Sequence, residues 1–190
     1  MASHYDSTLF LRRTDKGIIL LLLYMDDMII TGDDLNGIQE IKDFLSQQFE
    51  MKDLGHLSYF LSLKITHSTD ESYITQAKYA SELLSRAGLT DSKTVDTPVE
   101  LNAHLTPIGG KPLSNPSLYR RLVGSLVYLT VTHPEISYTV HQVSQYLFAP
   151  RSIHYAAILR ILRYLKSTLF HGLFYFAQSP LILLAFSDDD

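Results

Sequence analysis

Two apolar stretches, Ile18 to Leu23 and Met28 to Ile30, flank Tyr24-Met25-Asp26-Asp27, and a glycine stands at each end of the segment, Gly17 and Gly32. These bounds predict a β-hairpin. A buried helix fits the leucines almost as well, but two adjacent charges at its centre would carry a large desolvation cost. Asp33-Asp34 then offers an N-cap, and Leu35, Ile38, Ile41, Phe44, Leu45 and Phe49 recur at helical spacing, which predicts an amphipathic helix. Leu57, Tyr59, Leu61, Leu63 and Ile65 occupy every second position, so one half-buried strand is expected to run on to Thr66. A turn at Ser68 to Glu71, a short strand at Tyr73 to Thr75 and a helix from Gln76 to Ala87 follow, with Gly88 where a left-handed C-cap belongs. The order is that of an α+β fold.

The pattern breaks between Leu89 and Pro116, which hold four of the seven prolines and Gly109-Gly110, and this stretch reads as a long connecting arm. Beyond it the chain turns helical. Pro116 and Pro134 suit the first turns of helices at about 116 to 131 and 134 to 148, and Pro150-Arg151-Ser152 opens a third that runs to about Leu169. Leu173 to Phe176 and Leu181 to Phe186 look like short strands. The organisation expected is therefore 1–88, an arm at 89–116, a helical part at 117–172 and a closing segment at 173–190.

Composition narrows the classes. The 190 residues are 46% hydrophobic and 19% charged, a globular balance with enough chain to bury a core. With no cysteine there is no disulfide framework, thiolate nucleophile or sulfur-based zinc site. The longest apolar run stops at Asp26, short of a membrane span, and no basic region leads into an apolar core at the N-terminus, so a soluble protein without a secretory signal is expected. The net charge of −4 hides an asymmetry: residues 1–100 carry 9 Lys/Arg against 16 Asp/Glu, whereas residues 101–187 carry 7 against Glu135 alone, before the closing Asp188-Asp189-Asp190. That division would suit metal-binding carboxylates in one half and a polyanion surface in the other, and it would equally suit unevenly sampled solvated faces.

Candidate chemistry centres on Asp26 and Asp27. Adjacent carboxylates at a turn supply the hard oxygen donors that Mg²⁺ or Mn²⁺ prefers, although a bare Asp-Asp pair also makes an ordinary polar turn. Arg160, Arg163 and Lys166 fall at i, i+3 and i+6 on the last helix, with Arg151 before it, a stripe able to follow a phosphate backbone or simply to face water. Arg120 and Arg121 are read the same way. The eight histidines form no short ligand pair and are assigned to surface or packing. No glycine-rich phosphate loop and no Ser/His/Asp arrangement is present.

With Tyr24-Met25 added, the motif resembles the catalytic hairpin of reverse transcriptases. Further segments, FLSQQFEMKDLGHLSYFLSLKI (44–65), YITQAKYASELLSRAGL (73–89), LYRRLVGSLVYLT (118–130) and RILRYLKSTLFHGL (160–173), resemble the copia-type retrotransposon polyprotein in that family's order. The resemblance covers nearly the whole chain. It implies the end of a right-hand polymerase palm with primer-gripping strands, then a helical thumb and connection, and at Leu184 to Asp188 the first strand of a ribonuclease H domain whose metal ligand would align with Asp188. It further implies two Mg²⁺ or Mn²⁺ ions held in part by Asp26 and Asp27, with Tyr24 and Met25 beside nucleotide and primer. The partners it implies are an RNA or DNA primer-template, deoxynucleotides, and the rest of a polyprotein or a second copy, without a membrane, in cytoplasmic virus-like particles.

The chain departs from that family at Met25, where valine is usual, at Ser62 and Ser167, where glycine is usual, at His133 and at Glu135. The family's fingers and its other metal-binding aspartate precede the stretch resembled here; Asp6 and Asp15 fall in the segment just before the hairpin. Two-metal chemistry clamps ions about 4 Å apart with carboxylates from more than one segment. A polymerase fragment inactive by itself is therefore the expectation. A nucleic-acid-binding remnant and an interaction protein without nucleic acid are the alternatives.

Overall fold

The computed structural model describes residues 8–100 and 104–179. The chain forms two compact units, one up to Phe60 and the other from Leu61.

The first unit is built on a three-stranded antiparallel sheet, β1 (Leu9–Arg13), β2 (Ile18–Tyr24) and β3 (Asp27–Gly32), in that order. The expected hairpin is β2–β3, with Leu20 opposite Thr31, Leu22 opposite Ile29 and Tyr24 opposite Asp27. Its tip is tighter than the four residues expected, because Tyr24 and Asp27 still pair and only Met25-Asp26 turn. The strand β1 was not anticipated. Its signal is the alternation of half-buried Leu9 and Leu11 before Thr14-Asp15-Lys16-Gly17, a turn closed by a hydrogen bond from the Thr14 amide to the Gly17 carbonyl.

Helix α1 (Leu35–Gln48) starts where Asp34 caps it: the Asp34 carboxylate accepts from the Gly37 amide and from the Thr14 hydroxyl. Gly37 lets α1 lie against the sheet, since a Cβ there would come within 2.6 Å of Ile19 Cδ1. Ile38, Ile41 and Leu45 are half-buried, while Leu35, Phe44 and Phe49 of the expected apolar face are exposed.

The long strand expected over 57–66 is interrupted. β4 (Tyr59–Phe60) ends at a turn in which Leu61 and Ser62 both take positive φ, 47° and 64°, and β5 (Leu63–His67) begins after it. A two-residue turn leaves an alternating pattern intact, so periodicity alone could not reveal the break. Ser62, where the resembled family usually carries glycine, sits in a left-handed conformation that glycine adopts at no steric cost.

In the second unit β5, β6 (Glu71–Thr75) and β7 (Leu173–Phe176) pair antiparallel in that order, with Ile65 opposite Ile74 and Ile74 opposite Leu173. The predicted strand at Leu173 to Phe176 is β7. Helix α2 (Ala77–Arg86) follows β6, and Gly88, at φ 68°, carries the chain out of it as expected. Among the described residues the arm from Leu89 to Asn115 forms neither helix nor strand beyond a single bridge between Pro112 and Arg151.

Helix α3 (Pro116–Leu129) starts at a proline behind an Asn115 cap, as expected. The helix predicted over 134–148 is shorter: a 3₁₀ turn at Pro134–Ile136 leads into α4 (Ser137–Ser144), and the chain leaves the helix so that Tyr146 can donate to the Leu105 carbonyl. Helix α5 (Ser152–Ser167) is the last. Tyr119, Leu122, Leu126 and Leu129 of α3 bury against Ile158, Ile161, Leu162 and Leu165 of α5, with Leu83 and Val143 completing one core. No helix among the described residues is long and apolar enough to cross a membrane. The expected strand at Leu181 to Phe186 lies outside the described residues.

Candidate functional site

At the β2–β3 tip the backbone turns through Met25, which takes φ 50° and is 83% exposed, and Asp26, which is also exposed. A positive φ at the first central residue suits a two-residue hairpin but strains a side chain longer than glycine's. Asp27, the first residue of β3, is exposed on the same sheet face as Tyr24, its register partner. Because Asp26 belongs to the turn and Asp27 to the strand, strand alternation does not force the two carboxylates to opposite faces. Tyr24 is 46% exposed and its ring meets Phe60 edge-on at 6.4 Å.

Behind the tip, Leu22 and Ile29 continue the face of Tyr24 and Asp27, while Leu23 and Met28 pair on the other. Two apolar strands in fixed register thus hold a pair of carboxylates out in solvent, where their oxygens are open to a hard cation. Asp15 and the capping Asp34 sit at the far end of β2, roughly 20 Å away for seven residues at about 3.3 Å each. The Asp34 carboxyl is held below the usual carboxylate range, first by its bond from the Gly37 amide and then by that from Thr14. Among the described residues no group of three His, Cys, Asp or Glu side chains comes together as a metal site. The hard oxygen donors of Asp26 and Asp27 are the type a divalent ion takes, and among the described residues no third carboxylate or imidazole joins them. Asp6 and Asp188 lie outside the described residues.

The six basic candidates are not placed alike. Arg121 is exposed on α3, and its neighbour Arg120 donates from Nε to the Leu147 carbonyl at 3.0 Å. Arg163 is half-buried on α5. Arg151 donates from one guanidinium nitrogen to the carbonyls of Ile108 and Gly110, at 2.9 and 2.6 Å. Arg160 reaches the Thr97 hydroxyl at 3.0 Å, and Lys166 reaches the carbonyls of Thr90 and Ser92, the latter at 2.7 Å.

Two histidines assigned to surface or packing are fully buried. His154 accepts the Arg151 amide at Nδ1 and lies 3.0 Å from the Thr106 carbonyl at Nε2, so the neutral tautomer with its proton on Nε2 satisfies both. Its ring stacks on Tyr146 at 3.7 Å, and burial pushes its pKa down. His133 lies 2.9 Å from Glu135 through Nδ1. Beside it the Thr132 hydroxyl donates to the side-chain carbonyl of buried Gln76, tying the start of α2 to the end of α3. Gln76 was missed at the sequence level, where a polar residue before a helix signals only a cap.

Comparison with known proteins adds a family to this geometry. The family described as reverse transcriptase (RNA-dependent DNA polymerase) matches residues 2–101. The chain is 38% identical over 185 residues to the retrovirus-related Pol polyprotein from transposon RE2 of Arabidopsis thaliana, which covers 97% of this chain and 13% of that protein. It is 35% identical over 190 residues to the Pol polyprotein from transposon TNT 1-94 of Nicotiana tabacum, covering 95% of this chain and 14% of that one. An uncharacterized mitochondrial protein of Arabidopsis thaliana is 39% identical over 170 residues, covering 90% of this chain and 70% of its own length. The chain thus spans only about an eighth of the length of the polyproteins it matches. No solved structure matches it.

Proposed function

This chain belongs to the reverse transcriptase (RNA-dependent DNA polymerase) family, in its copia-type retrotransposon branch, and from that premise we propose that its β2–β3 hairpin is the metal-holding element of a nucleotidyl-transfer centre. The observation that carries the reading is the pair of exposed carboxylates, Asp26 and Asp27, at a tip braced by apolar strands in register.

Asp26 and Asp27 would hold Mg²⁺ or Mn²⁺, which prefer carboxylate oxygen and keep several waters. Bound there, such ions would supply the positive charge that stabilises a phosphoryl transfer. The residues of this chain have the prior task of positioning. The strand pairs Leu23–Met28 and Leu22–Ile29 fix where the carboxylates stand, and the Tyr24 ring, braced against Phe60, forms the wall beside Asp27 on which a nucleotide or primer end would lie. Because two-metal clamping takes carboxylates from more than one chain segment, in this reading the hairpin contributes part of a centre that another segment completes, and the chain by itself has negligible polymerase activity. In this reading residues 1–88 are the end of the palm, 89–116 the connecting arm, 117–172 thumb and connection and 173–190 the start of a ribonuclease H segment. The template-primer is RNA or DNA, with the exposed Arg121 as a phosphate contact, and the setting is a cytoplasmic particle built from the polyprotein.

Titration with Mn²⁺ while recording backbone NMR spectra tests this directly. Paramagnetic broadening should start at residues 24–28 and disappear there in Asp26→Asn/Asp27→Asn. Broadening elsewhere, with the hairpin signals untouched, would defeat the assignment. Metal-dependent primer extension by the purified chain, abolished in Asp26→Asn, would overturn its incompleteness.

A further inference from the structure

Three cations, Arg151 at the N-cap of α5 and Arg160 and Lys166 along it, bond to the connecting arm. Lys166 donates to the carbonyls of Thr90 and Ser92, Arg160 to the Thr97 hydroxyl, and Arg151 to the carbonyls of Ile108 and Gly110. Uncharged donors on the same helix join them: the Ser167 hydroxyl bonds to the Val95 carbonyl, and Ser152 exchanges two bonds with Lys111, its amide donating to the Lys111 carbonyl and its hydroxyl accepting the Lys111 amide. Between those ends His154 bonds to the Thr106 carbonyl. The Arg160 Nε is buried without a partner among the described residues, so that guanidinium acts outward only through its terminal nitrogens.

We propose that Arg151, Arg160 and Lys166 form a latch that straps two stretches of the arm, 90–97 and 106–111, along α5, and that these three cations do not serve as phosphate contacts. An arm with no helix or strand must find partners for its carbonyls or leave them to water, and a charged donor makes a stronger bond to such a carbonyl than a neutral one does. Arg160 and Lys166, six residues apart on α5, thus meet the arm without an acidic partner among the described residues. The ion pairs among the described residues are Lys42–Asp53 and His133–Glu135, and neither involves α5. The cations meet neutral oxygens, so the strap is held by charge–dipole bonds that salt screens little, whereas contacts to nucleic-acid phosphate weaken steeply with salt.

Trypsin cleavage after the exposed Lys93, which lies inside the strap, reads the latch in the wild-type chain. Protection should persist into high salt and should be unchanged when the chain is saturated with a single-stranded homopolymer DNA. If bound DNA opens Lys93 to cleavage, the cations are shared with phosphate and the proposal fails. In Lys166→Met, the rate of cleavage at Lys93 should rise at least tenfold while DNA affinity and its salt slope change less than twofold. Unchanged cleavage with a salt slope lower by about 0.7 would mean a lost phosphate contact and would overturn it. Should Lys166→Met lose its helical circular dichroism, Arg160→Lys, which keeps the charge but shortens the reach to Thr97, should still speed cleavage at Lys93 without moving the salt slope.

Discussion

The two units bury apolar surface very differently. Among the described residues up to Phe60, the one hydrophobic side chain in the core is Ile19, at 1% exposure, whereas from Leu61 onward a continuous cluster runs from Ala80 to Leu165. Both segments have comparable apolar patterns in sequence. What separates them is the number of layers: α3, α4 and α5 close on each other and on α2, while in the first unit a single helix lies on one face of a three-stranded sheet. Apolar area left in water contributes nothing, and a unit of this size is marginal even when its core is complete. The region carrying the candidate chemistry therefore rests on the weaker core, and the helical unit supplies most of the stability.

The largest effect should come from emptying the helical core. Leu126→Ala, at a fully buried position, should cost about 2–5 kcal/mol in urea unfolding, whereas Phe44→Ser on exposed α1 should stay within about 0.5 kcal/mol. Equal costs at the two sites would erase the contrast. Hydrogen exchange sharpens it: amides of β2 and β3 should exchange through smaller openings than those of α3 and α5.

A smaller gain is expected at the turn before β5. Ser62→Gly removes a side chain from a φ of 64° and should stabilise by about 1 kcal/mol, read as a higher urea midpoint at unchanged slope. A loss of stability there would mean that the serine side chain is needed.

The smallest effect expected is a pH drift in the helical unit. Burial lowers the His154 pKa from 6.5, so the unfolded chain takes up that proton first; the stabilisation is complete above pH 6.5 and is lost as pH falls through the folded value. Between pH 6.5 and about 5, above the range where carboxylates titrate, the helical unit should lose stability as acid is added, and His154→Gln should flatten that slope. An unchanged slope in the variant would place the proton elsewhere.

Much of this molecule is legible locally. Apolar spacing located α1 and α2, prolines the starts of α3 and α5, and glycine bounds around paired aspartates the β2–β3 hairpin and its candidate metal ligands, because a helix face, a first-turn proline and a charged turn are each short-range consequences of side-chain chemistry. The break after Phe60 was not legible, since Leu61-Ser62 keeps the alternation while both residues take positive φ.

Local spacing already sets which residues share a helix face, as Arg160 does with Arg163 and Lys166 or Ile38 with Ile41 and Leu45. What each face meets is fixed only when distant segments pack. The α3 face found a core, the α1 face kept Phe44 and Phe49 in solvent, and Lys166 of α5 met the carbonyls of Thr90 and Ser92, 76 and 74 residues earlier in the chain. Periodicity follows from the geometry of a single element, whereas the identity of a partner depends on contacts between distant segments, which no local pattern encodes.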